Sequence, residues 1–60
     1  MKIYRLFQKD NLKKAIRTYK RKPTKRDLSF HILEKDYHLY ILKEYELVQK
    51  DEYHLETFFN

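Results

Sequence analysis

Sixty residues with a formal charge of +5 and no cysteine rule out several classes at once. A chain this short makes one domain at most and buries only about 60% of its unfolded surface; lacking cysteine, it has neither disulfide staples nor thiolate metal ligands. No apolar run approaches the roughly 20 residues that span a bilayer, and Met1-Lys2-Ile3-Tyr4-Arg5-Leu6-Phe7 lacks a signal-peptide cleavage site, so a cytoplasmic protein is expected.

The charge is unevenly spread. Residues 1–26 carry eleven Lys/Arg against Asp10 alone, whereas residues 27–60 carry three Lys against eight Asp/Glu. A chain so divided is expected to offer one surface to polyanions and another to a different partner. The aromatic content of 17% and a dense Leu/Ile set argue against disorder. Only Lys20–Lys25 reads as a solvated connector.

Lys2–Phe7 alternates and is rich in Ile, Tyr and Phe, which predicts a short strand. Asp10 stands at a helix N-cap position. Behind it Leu12, Ala15, Ile16 and Tyr19 fall at i, i+3, i+4 and i+7, one apolar stripe of an amphipathic helix. Pro23 disfavours helical geometry at Lys22 and ends this helix. Thr24 with Asp27 forms the N-terminal signature of a second helix bearing Leu28 and Ile32. Glu34-Lys35-Asp36 interrupts the pattern, and Tyr37–Tyr45 resumes it with Leu39, Leu42 and Tyr45. Leu47-Val48-Gln49 reads as extended, Lys50-Asp51-Glu52 as a turn, and Tyr53–Phe59 as the second strand of a closing hairpin.

Period two fits part of the same stretch. Leu28, Phe30 and Ile32, then Tyr37, Leu39 and Ile41, also alternate, so one helix followed by an antiparallel β-meander is the rival architecture.

The helical reading, strand–helix–helix–helix–hairpin, resembles a small winged helix-turn-helix. The resemblance lies in Thr24-Lys25-Arg26-Asp27-Leu28-Ser29 at the entry to the first motif helix and in Leu39 and Leu42 on the second. It continues through Leu47-Val48-Gln49-Lys50-Asp51 into Tyr53–Phe59. Leu33–Glu34 and Glu46 stand where such proteins usually carry glycine. The resemblance implies an α+β fold with a C-terminal wing, of the kind found in small phage and mobile-element accessory proteins such as excisionases and recombination directionality factors. It also implies a second motif helix lying in the DNA major groove, presenting His38 and Lys43.

The residues themselves place the stronger phosphate contacts elsewhere. Lys13, Lys14, Arg17, Lys20, Arg21, Lys22, Lys25 and Arg26 put eight cations into fourteen residues, enough to neutralise several phosphates with steep salt dependence. Binding to DNA is therefore expected to be weakly specific. Tyr37, Tyr40, Ile41, Tyr45 and Tyr53 suit a protein interface, since interface cores are rich in tyrosine. A partner that itself sits on DNA, or a second copy of the chain, fits that surface. A protein-binding modulator or inhibitor that never touches nucleic acid is the alternative function.

No cofactor or metal is expected. His31 and His38 lie two helical turns apart, not at the i, i+4 spacing of paired ligands. Glu34 and Asp36 read as a solvated turn with no phosphate loop or nucleophile beside them, so the chain is expected not to be an enzyme.

Overall fold

Leu6 and Leu42, both essentially free of solvent exposure, face each other on neighbouring strands and set the architecture. The computed structural model describes residues 1–58. Its elements are β1 (Lys2–Gln8), β2 (Arg17–Tyr19), α1 (Lys25–Ser29), a 3₁₀ helix (Glu34–Leu39), β3 (Tyr40–Val48) and β4 (Asp51–Phe58). The four strands form one antiparallel sheet in the order β2-β1-β3-β4.

β1 is apolar on both faces, as a central strand should be. Tyr4 and Leu6 point to the side carrying α1, while Ile3 and Phe7 are buried on the other. Alternation in β3 sends Leu42 and Glu44 to the helix side and Ile41, Lys43 and Tyr45 to the far side. The core is the cluster of Tyr4, Leu6, Leu28, Ile32 and Leu42, with Tyr19, Tyr37, Tyr40 and Phe58 packed around it.

α1 is short but firmly started. The Thr24 hydroxyl accepts the Asp27 N–H at 3.2 Å and the Asp27 carboxylate accepts the Thr24 N–H at 2.9 Å, a reciprocal capping box. The helix delivers Leu28, and the turn after it Ile32, onto the sheet. The 3₁₀ helix is pinned to the end of β1 by the Lys9 N–H, which donates to the Leu39 carbonyl at 3.0 Å.

The winged helix-turn-helix expectation is overturned: the chain is a four-stranded sheet with two short helices, not three helices and a wing. The helix expected behind Asp10 does not form. Isolated helices of that length are marginal without a surface to bury their stripe, and here Leu12 and Ile16 remain 48% and 46% exposed. The edge of β1 recruits the segment instead. The Ile16 N–H donates to the Leu6 carbonyl at 2.8 Å, and Tyr19 pairs opposite Tyr4. The first motif helix shrinks to five residues, and the second is replaced by the 3₁₀ helix and β3. Residues 40–48 satisfy period two as well as period three, and pairing with β1 decides between them. Without a recognition helix, the groove-docking role given to His38 and Lys43 has no structural basis. The rival meander departs too: its helix lies at residues 25–29 instead of behind Asp10, and residues 28–32 are not a strand.

The hairpin turns one or two residues earlier than expected. Val48 pairs with Asp51, leaving Gln49-Lys50 as a two-residue loop. Gln49 takes φ 58° and is the one non-glycine residue with positive φ among those described. Positive φ at the first loop position alone is the type II′ pattern, which ordinarily calls for glycine. The chain has none, so the strain falls on a glutamine. Further along, the register shifts between Glu44 and Tyr45, whose partners are Glu56 and His54, and Leu55 is the extra, bulged residue. Phe59, expected as the last rung, lies outside the described residues.

Leu42→Ala should cost about 3 kcal/mol by leaving a cavity between the central strands, whereas Ile16→Ser should stay within about 0.5 kcal/mol. Urea unfolding checks both; a packed helix behind Asp10 would reverse the order. Gln49→Gly should stabilise by about 1 kcal/mol through relief of the left-handed position, raising the thermal midpoint by about 4–8 °C.

Candidate nucleic-acid interface

The sheet order places the basic run and most of the sheet's acids in opposite halves of the sheet. β2 and its flanking loops carry most of the cations of residues 13–26, while β3 and β4 carry Glu44, Glu46, Asp51, Glu52 and Glu56.

The acids of the sheet are largely answered within the fold. Glu44, only 7% exposed, accepts the Tyr4 hydroxyl at 2.9 Å and lies 3.6 Å from the Lys2 ammonium. That hydrogen bond, which favours the protonated phenol, pushes the Tyr4 hydroxyl above the usual tyrosine range. Glu46 accepts the N-terminal amine at 2.6 Å, which holds its carboxyl below the ordinary range. On the far face Glu52 receives the Arg5 guanidinium at 2.8 and 3.2 Å, and Arg5 also lies 5.6 Å from the Tyr45 ring.

The cations of the run are answered far less. Among the described residues, none of Lys13, Lys14, Arg17, Lys20, Arg21 and Arg26 stands within ion-pair distance of a carboxylate, and all are exposed. Lys25 is the exception, 3.3 Å from Glu34 in an exposed pair that is worth little. Lys22 is engaged elsewhere, its ammonium 4.1 Å from the centre of the Phe58 ring.

Three of these cations converge. Arg17, Lys20 and Arg21 line a groove of about 620 Å³ between β2 and the turn that follows α1, with Tyr19, Phe30 and His31. Tyr19 separates the groove from the core. Burial raises its hydroxyl above the usual tyrosine range, and that oxygen has no hydrogen-bond partner among the described residues. Phe30 is 73% exposed. Asp27 is the groove's single carboxylate, and its charge is already engaged by the Thr24 N–H, with Arg21 and Arg26 nearby.

The other expected contacts do not join them. Lys13 and Lys14 sit in the β1–β2 loop and Arg26 on α1, outside the groove lining. His38 is exposed on the 3₁₀ helix, and Lys43 lies on the far face above Phe7, 5.6 Å from its ring centre. The tyrosine platform is divided: Tyr37 and Tyr40 pack against the helix-side core, while Ile41 and Tyr45 lie half-buried on the opposite face. Tyr53, 53% exposed on β4, alone among them projects well into solvent. Among the described residues no cluster of three His, Asp or Glu side chains could hold a metal ion, and no helix is long and apolar enough to cross a membrane.

Sequence reasoning missed Phe30 and His31. Phe30 reads as one of an alternating apolar set, and its one distinguishing signal is its place just past a helix only five residues long.

No family model matches the chain, and neither the curated proteins nor the solved structures give a significant match.

The capping box beneath the groove makes α1 sensitive to acid. The Thr24 hydrogen bonds hold the Asp27 carboxyl below its ordinary value. The stability it lends is therefore complete above the unfolded carboxylate range, near pH 4, and is lost as pH falls through the lowered native value. Glu46 acts with the same sign. Asp27→Asn should lower the thermal midpoint at pH 7, and the difference from wild type should shrink towards pH 2.5. A gap constant across that range would contradict the assignment.

Proposed function

We propose that this chain is a non-enzymatic nucleic-acid-binding accessory protein whose basic edge grips the phosphate backbone. The observation that carries this reading is the partition of ion pairs. The cations of β1 are consumed by the acids of the sheet, while those gathered around β2 and the two loops beside it are left for an external polyanion. Ion pairs with phosphate release condensed counterions and supply sequence-independent affinity. Asparagine and glutamine, the bidentate readers of adenine, do not line the groove, and its arginines and lysine are assigned to phosphate, so binding to DNA is weakly specific.

One observation favours a second reading, a protein-interaction module. β4 is an eight-residue edge strand with one side of its backbone unpaired, and it carries Asp51, Glu56 and the exposed Tyr53, beside a Glu52 already paired with Arg5. Such an edge can accept a strand from a partner, and its charge suits a basic one.

Anisotropy titration with labelled mixed-sequence DNA at increasing salt separates the two. Wild type should bind at low salt and lose affinity steeply. Replacing Arg17, Lys20 and Arg21 together by alanine should weaken binding at least tenfold and flatten the slope of log K against log salt by about 2 to 3 units. Absence of binding at low salt, or a triple variant indistinguishable from wild type, would overturn the phosphate-gripping reading and leave the β4 edge as the functional surface.

A further inference from the structure

Resting on that reading, we infer that the groove takes a nucleotide of single-stranded nucleic acid, its phosphates held by Arg17, Lys20 and Arg21 and its base stacked on Phe30. The shape of the site gives the first argument. A groove of about 620 Å³ is of the size that accommodates small ligands, room enough for one nucleoside with its phosphate.

The fold also lacks what duplex reading requires. The major groove admits a helix or a two-stranded ribbon. α1 has five residues, about 7.5 Å of helix, with Leu28 turned into the core. The β3–β4 hairpin is the available ribbon, and at its turn Lys50 is offset by Asp51 while Glu52 is paired with Arg5, so it offers no cationic surface to phosphates.

Phe30 supplies the positive evidence. The fold uses its backbone, whose N–H donates to the Asp27 carbonyl at 3.4 Å at the end of α1. Its side chain lies outside the core cluster and is the most exposed of the large apolar side chains among the described residues. An exposed ring beside three unpaired cations is the combination that binds single strands: the cations track the backbone, and every base offers a π-face to the ring. His31, next in the chain and also exposed in the groove, adds ring nitrogens that can hydrogen-bond a base edge or a sugar hydroxyl.

The test compares probes at equal total phosphate concentration by anisotropy: a ten-nucleotide oligo-dT strand, the same strand with abasic residues, and a hairpin duplex; an oligo-rU strand run beside them identifies whether ribose is accepted. Wild type should prefer the dT strand to both the abasic strand and the duplex. Phe30→Ala should weaken dT binding about tenfold or more, erase the preference over the abasic strand, and leave the salt slope and thermal midpoint unchanged. Should Phe30→Ala lower the thermal midpoint, Phe30→Leu keeps the apolar bulk without the π-face and should show the same loss, while Phe30→Tyr should retain binding. Full dT binding in Phe30→Ala, with the Arg17/Lys20/Arg21 triple variant still weakened, overturns the stacking proposal alone. Full binding in the triple variant overturns the phosphate reading beneath it.

Discussion

The pairing of β1 with β3 is the constraint on which the rest of this small structure depends. Seven residues of β1 find partners in β3, from Lys2 opposite Glu46 to Gln8 opposite Tyr40, and Leu6 meets Leu42 at the centre. Both strands also pair with a neighbour in sequence, β3 with β4 and β1 with the short β2, but Leu6 and Leu42 meet only across this register. Each hides its apolar residues by pairing with the other and receiving Leu28 and Ile32 from above. In a 60-residue chain with no disulfide, that one layer supplies most of the available burial.

The electrostatic pattern follows from the same pairing. Bringing the N-terminus alongside β3 sets the terminal amine on Glu46, Lys2 and the Tyr4 hydroxyl on Glu44, and Arg5 within reach of Glu52. Glu44, Glu46 and Glu52 are thus paired within the sheet. The connection between β1 and β3 is displaced to the β2 edge and the helix face, and it holds the residues left unmatched. The proposed binding surface is therefore a by-product of how the core closes: the groove between β2 and the end of α1 lies where the connection doubles back over the sheet.

How much of this was legible from residues alone depended on whether the deciding contact was local. The Thr24–Asp27 box is a four-residue device, and it appears as read. The strand at Lys2–Gln8 was legible because Ile3, Tyr4, Leu6 and Phe7 suit a strand buried on both faces. The stripe of Leu12, Ala15, Ile16 and Tyr19 misled because periodicity records only what a helix would bury, and no surface opposite that stripe exists to bury it. Tyr37–Tyr45 was ambiguous for a related reason: Leu39, Leu42 and Tyr45 fit a helix, and only a partner more than thirty residues earlier resolves the matter. The basic run was plain in the sequence. Its convergence with Phe30 and His31 was not, since those contacts span about ten residues through a helix whose length the sequence left open.

The claim that the unmatched cations around β2 form the binding surface is tested most directly by amide chemical-shift mapping during titration with a single-stranded oligonucleotide. The account predicts perturbations concentrated at residues 17–21 and 27–31, with the amides of β3 and β4 little changed. Perturbations centred on residues 37–45 or on the hairpin, with the β2 edge silent, would contradict it.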